Sequence, residues 1–97
     1  MLDQYGRITI ITEVLEKAMY LRKGEKVKIF LEMEPKRLHL TPRESIGYFL
    51  GSCTIDEKGR IVIPLQIRRA FPNSTFLPAE MGCEIYILII DQRTKPE

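Results

Sequence analysis

The chain contains two copies of one motif, and this repeat constrains the fold more than any other feature. The first copy is LDQYGRITIITEVLEKA, residues 2–18, and the second is IDEKGRIVIPLQIRRAF, residues 55–71. When Asp3 is aligned with Asp56, an offset of 53 residues, the Gly-Arg pairs and the apolar positions that follow them coincide. A repeat of this length is typically one structural unit. At 97 residues the chain is predicted to be a single domain made of two repeats, residues 1–45 and 46–97, that share one core.

The second copy predicts a tight turn, a strand and a short helix. Asp56 can bond back to the backbone of a turn, and Gly59 can adopt the left-handed conformation. Residues 61–63 are all β-branched and predict a strand, which Pro64 ends while starting a helix. Apolar residues at helical spacing should then face the core: Ile67, Ala70 and Phe71.

The rest of the chain is rich in predicted strands. Strands are expected at residues 27–33, 37–41, 47–54 and 83–90, with a loop across residues 72–82. On this prediction the first copy has a return strand and the second copy lacks one. Cys53 and Cys83 both lie in apolar runs, which favours reduced cysteines in the core. The fold class is therefore mainly β with short helices.

The motif Asp-x-x-Gly-Arg followed by spaced apolar residues resembles the AbrB/MazE/SpoVT family of transcription factors and antitoxins. The second copy carries most of the resemblance, and the tandem arrangement is similar to that of MraZ-type regulators. The resemblance implies a swapped-hairpin, AbrB-like β-barrel built from two internal repeats. It also implies a sequence-specific DNA-binding transcriptional regulator. The expected partners are double-stranded DNA and a second copy of the chain, in a homodimer or higher homo-oligomer.

The same resemblance identifies candidate DNA-binding residues. A guanidinium can bind two phosphate oxygens or the major-groove edge of guanine. In the first copy Leu15 and Glu16 occupy the positions of the helix arginines, so only the second copy carries the arginine pair, and both of its arginines are expected to face solvent. The candidates are Arg7, Lys58, Arg60, Arg68 and Arg69.

Several of these residues also have a structural interpretation. Arg7 and Arg60 recur in both copies, so a role in bonding the turn is as well supported as DNA contact. Asp3 and Asp56 are expected to build turns rather than to act as catalytic acids. His39 has no neighbour at metal-ligand spacing and is expected to be solvated or hydrogen-bonded internally.

Composition and motifs argue against other functional classes. The net charge is only +2, so an anionic partner must meet a local basic patch rather than a strong overall field. The sequence has no phosphate loop, metal-ligand cluster or nucleophilic triad, so we expect no enzyme activity, no cofactor, no metal and no small-molecule substrate. Its N-terminus lacks a signal-peptide pattern and no apolar run could span a bilayer, which predicts a cytoplasmic protein without membrane contact.

The main alternative is a protein-interaction module of the same fold that does not bind DNA, either antitoxin-like or a scaffold. The near-neutral charge and the divergent first copy favour it, while the short polar tail at residues 91–97 is small for a toxin-binding segment. A barrel that binds a small ligand is a third and weaker alternative, because no phosphate-binding loop is present.

Overall fold

The computed structural model describes residues 6–10, 14, 16 and 22–91, and these form a mainly β protein with a short helix. The mainly β prediction is confirmed. The elements are β1 (Arg7–Thr9), β2 (Lys26–Met33), β3 (Lys36–Thr41), β4 (Tyr48–Thr54), β5 (Arg60–Val62), α1 (Leu65–Ala70), β6 (Ser74–Met81) and β7 (Glu84–Asp91).

The strands form two antiparallel sheets. One is a ribbon of β1 and β5, and the other has five strands in the order β4-β2-β3-β7-β6. Within the described residues the two sheets do not join into a closed barrel. The ribbon and the central β3/β7 pair each combine one strand from each copy, so the two copies are interleaved rather than separate.

The β1/β5 ribbon has approximate two-fold symmetry. Ile8 lies opposite Ile61, and these residues occupy equivalent positions in the two copies. The backbone hydrogen bonds at the two ends of the ribbon are equivalent in the same way. The amide of Ile10 donates to the Gly59 carbonyl (2.8 Å), and the amide of Ile63 donates to the Gly6 carbonyl (2.9 Å). Each copy therefore donates a backbone hydrogen bond to the motif glycine of the other, next to the paired strands.

One apolar cluster lies between the ribbon and the five-stranded sheet. Strand alternation places one set of side chains of β2, β3 and β7 toward the ribbon, where Ile8 and Ile61 are almost fully buried. Ile67 of α1 also enters this cluster. The two copies thus bury their apolar faces against each other. The sheet members of the cluster are Val27, Ile29, Leu38, Leu40, Phe76, Ile85, Ile87 and Ile89.

The loop expected across residues 72–82 is wrong, because β6 occupies most of it. β6 pairs with β7 along its whole length, from Ser74 opposite Asp91 to Met81 opposite Glu84. Pro78 interrupts the local strand pattern, yet an edge strand tolerates proline where the missing N–H would face solvent. The second copy therefore has a complete hairpin, and the prediction that it lacks a return strand is wrong.

Three side chains are less buried than the sequence predicts. Cys83 is exposed, because it lies in the two-residue turn between β6 and β7 and adopts a positive φ of 69° there. Cys53 is half-buried, and burial raises the pKa of its thiol to about 11. Ala70 is exposed, since α1 is only six residues long and turns just Ile67 fully inward, with Phe71 half-buried beyond its end.

No helix within the described part of the chain is both long enough and apolar enough to cross a membrane.

Candidate nucleic-acid interface

The side of the ribbon that faces away from the core carries two arginines. Because Ile8 and Ile61 point inward, their neighbours along the strands point outward. Arg7 and Arg60 occupy diagonal positions on this outward face, and such residues lie about 7–8 Å apart, with their Cβ atoms somewhat closer. The remaining outward positions, Thr9 and Val62, are exposed.

The turn before β5 is built by Asp56. Its carboxylate accepts hydrogen bonds from the backbone amides of Lys58 (2.9 Å) and Arg60 (2.8 Å). Its carbonyl accepts a bond from the Gly59 amide (2.9 Å), and Gly59 has the positive φ of 76° that this turn requires. The structure therefore gives Asp56 the turn-building role that the sequence predicts.

Asp56 also fixes the side chain of Arg60. The Nε atom of Arg60 lies 2.7 Å from the second carboxylate oxygen, so each oxygen of Asp56 is used. The backbone N–H of Arg60 and then its guanidinium lower the pKa of the Asp56 carboxyl below its usual range. Arg60 is thus held in the turn through Nε, and among the described residues no partner is found for its Nη groups.

Arg68 has a structural contact that the sequence does not reveal. Its Nε atom donates to the carbonyl of Ile63 (3.1 Å), and its guanidinium lies flat against Gly6 of the first copy. A Cβ atom at Gly6 would lie only 2.5 Å from Cζ of Arg68. The expectation that both helix arginines face solvent is therefore wrong for Arg68, which is half-buried.

Arg69 and Lys58 are the exposed cations of the candidate set. Both side chains are solvent-exposed, and no hydrogen bond to either is found within the described residues. Lys58 lies in the turn at the Gly59 end of the ribbon, whereas Arg69 follows the residue that covers Gly6 at the other end. The ribbon itself is about 10 Å long. The five candidates therefore lie on or beside one short ribbon.

The first copy does not reproduce this arrangement in sequence. Glu16, at the position of Arg69, is exposed and carries the opposite charge, and Leu15 lies outside the described residues. Sequence comparison of the copies therefore identified which copy carries the helix arginines. It did not identify the contact of Arg68 with Gly6, because the two residues are distant in sequence and meet only when the copies pair.

A polar cluster separate from the ribbon lies on the face of the five-stranded sheet that is turned away from the ribbon. His39 is buried, hydrogen-bonded to Glu84 through Nε2 (2.7 Å) and to Ser45 through Nδ1 (2.9 Å), and stacked on Tyr86. The internally bonded alternative for His39 is the one that the structure shows. Across the described residues, no group of three or more histidine, cysteine or acidic side chains is arranged to hold a metal ion.

Comparisons of the chain with protein-family models, with curated proteins and with solved structures found no match.

Proposed function

We propose that this protein is a sequence-specific DNA-binding transcriptional regulator of the AbrB/MraZ type, acting in the cytoplasm as a homo-oligomer. The observation that carries the proposal is the two-fold ribbon of β1 and β5, which turns Arg7 and Arg60 to the side opposite the core. Lys58 and Arg69 extend the positive charge beyond the ends of the ribbon.

A two-stranded ribbon suits the major groove of DNA. The groove of B-form DNA is about 12 Å wide and admits a two-stranded ribbon, and arginines on the inserted face can reach phosphates or guanine. The low net charge does not oppose this, since a local group of five basic residues lies on or beside the ribbon. The Asp56 carboxylate orders Arg60 before DNA arrives, which lowers the entropy lost on binding.

The interleaving of the copies supports a swapped-hairpin, AbrB-like barrel as the underlying fold. In the described residues the strand that follows the motif glycine of each copy, β1 or β5, pairs with that of the other copy, and the core is shared. Since one chain offers a single arginine pair on α1, reading a palindromic or repeated site would need two chains.

The proposal is tested by placing negative charge on the ribbon without disturbing its core side. Thr9→Glu with Val62→Glu changes two exposed outward positions. We expect the affinity for a random-sequence duplex at low salt to fall about 100-fold or more, because each carboxylate repels phosphate and competes for a neighbouring arginine. Affinity is measured by gel retardation, and selection from a random DNA pool then measures specificity.

A matched control makes the same change in charge elsewhere. Leu77→Glu with Met81→Glu adds two carboxylates to exposed positions on β6, on the sheet face turned away from the ribbon. We expect this control to bind DNA nearly as the unmodified protein does. Equal loss in both variants would contradict the ribbon as the DNA-binding surface.

The second candidate is a protein-interaction module that does not bind DNA. It is favoured by the intrachain bonds of Arg60 and Arg68, which engage the Nε atoms of two of the predicted DNA contacts. The two candidates differ in one measurement. A protein-interaction module should retard no DNA at low salt. The proposed regulator should retard DNA at low salt, and its affinity should fall steeply as salt is added.

A further inference from the structure

One edge of the five-stranded sheet has no strand partner among the residues that the structure describes. β4 pairs with β2 on one side, and none of the described strands pairs with its other side. Near its end β4 approaches β5, where the Val62 backbone hydrogen-bonds the Cys53 sulfur. The open length is therefore the first half of the strand, residues 48–51. An exposed row of backbone N–H and C=O groups is a template for another strand.

Large apolar side chains surround this open edge. Ile46, Tyr48 and Phe49 are 83%, 70% and 52% exposed. Met33, at the end of the neighbouring strand β2, is 54% exposed. Apolar side chains gathered at one corner of a sheet mark a protein-interaction surface more often than scattered ones do. We call these four residues and the open half of β4 the β4 corner.

The opposite edge of the sheet is protected in ways that β4 is not. β6 carries Pro78, which cannot donate a hydrogen bond, and Glu80, which adds charge. β4 has the sequence YFLGSCT, with neither proline nor charge, although a β-bulge at Leu50 shifts its register against β2. The two edges therefore differ in the features that prevent edge-to-edge association.

We propose that the β4 corner is a dimer interface, and that its occupant is the β4 corner of a second copy of this chain. A two-fold contact brings each side chain close to its own copy, so charged residues would oppose themselves there. The uncharged sequence of β4 avoids this repulsion. Two β4 strands related by a two-fold axis run antiparallel, and their pairing would extend the sheet across both chains.

This interface is distinct from the outward face of the ribbon, and it deepens the proposed function, on whose homo-oligomer it rests, by naming the surface through which the chains associate. The ribbon packs on the opposite side of the core from the outer sheet face, and none of its outward residues belongs to the β4 corner. Dimerisation through β4 would therefore leave both ribbons accessible. It would also supply the second arginine set that a symmetric DNA site needs.

The interface is tested by sedimentation of the full chain without DNA. In the variant Ile46→Lys with Tyr48→Lys, two exposed apolar residues become charged. A two-fold interface contains each substituted residue twice, once from each chain. We therefore expect the dissociation constant of the dimer to rise about 100-fold or more. Far-UV circular dichroism and thermal melting establish that the variant is folded.

The control variant carries two lysines on the other edge strand. Leu77→Lys with Met81→Lys changes residues that are 47% and 41% exposed on β6, and we expect it to dimerise as the unmodified protein does. A monomeric unmodified protein, an unaffected β4 variant, or equal dissociation of the control would overturn the proposal. Because no DNA is present, none of these results tests DNA binding, and a monomeric unmodified protein would overturn only the homo-oligomer within the proposed function.

A second measurement needs no substitution. Pairing of two β4 strands protects the amides of residues 48–51 that point away from β2, so their hydrogen exchange should slow as protein concentration rises. Exchange that is independent of concentration at these amides would also overturn the proposal.

Discussion

At the scale of single residues, Asp56 bonds both the backbone of the turn and the side chain of Arg60. Its carboxylate accepts hydrogen bonds from two backbone amides and from Nε of Arg60, and these contacts lower its pKa. A carboxyl group with a lowered pKa in the folded state stabilises the fold above its unfolded pKa, about 3.9 for aspartate. That stability is lost as the pH falls through the lowered pKa.

Asp56→Asn should therefore show its largest cost near neutral pH. Asparagine can still accept the amide bonds of the turn but has no charge for Arg60. We expect the difference in free energy of unfolding between the two proteins to be constant above about pH 5 and to shrink below about pH 4. Urea unfolding at a series of pH values measures it. Glu57→Gln, the adjacent exposed carboxylate, serves as control, and a pH-independent difference for Asp56→Asn would refute the charge contribution.

Gly6 and Arg68 should be energetically coupled, because the guanidinium of one lies against the backbone of the other. Gly6→Ala requires both a positive φ of 76° and displacement of Arg68, so we expect it to cost about 2–3 kcal/mol. In an Arg68→Ala background the same change should cost only about 1 kcal/mol, since the backbone strain alone remains.

Gly24→Ala calibrates the strain, because Gly24 has a similar φ of 88° and nothing within 4 Å of the added Cβ. Denaturant unfolding of the four proteins in the cycle gives the coupling energy. Additive costs for Gly6→Ala and Arg68→Ala would show that the contact contributes nothing. The sequence could not predict this pair, since only the tertiary pairing of the copies brings it together.

At the scale of elements, the sequence predicts those turns and strands whose conformation is determined by neighbouring residues. The turn at Asp56 and the strand of β5 follow from residues within five positions, and both are present. The sequence does not predict β6, because Pro72, Asn73 and Pro78 are local breaking signals. Its strand conformation comes from pairing with β7 along eight residues, and that pairing outweighs the local preference.

The short helix shows the same limit. The spacing of Ile67, Ala70 and Phe71 predicts an inward face, yet α1 ends at Ala70 and leaves that residue exposed. Helical periodicity gives no information about where six residues sit relative to a sheet edge. Arg69 lies on the exposed side, as the sequence predicts, whereas the side chain of Arg68 packs against Gly6 of the first copy.

At the scale of the whole molecule, the copies pair through the strands that their shared motif predicts. Residues at equivalent positions of the two copies lie opposite each other in the ribbon, as Ile8 and Ile61 do. Sequence alone did not reveal that equivalent strands would be neighbours. The candidate site follows from this pairing, because Arg7 and Arg60 come from different copies and share a face only in the ribbon.

The arrangement of charge predicts how DNA binding depends on salt. Arg7, Lys58, Arg60 and Arg69 give three or four cationic contacts in one chain, and a dimer would therefore neutralise about six to eight phosphates. The slope of log affinity against log salt concentration should be about −5 to −7 for a dimer on one duplex and about −3 for a single chain. Fluorescence anisotropy between about 50 and 200 mM salt measures it. Leu77→Glu with Met81→Glu should leave the slope unchanged, while a slope near −1 would mean that the ribbon does not bind the phosphate backbone.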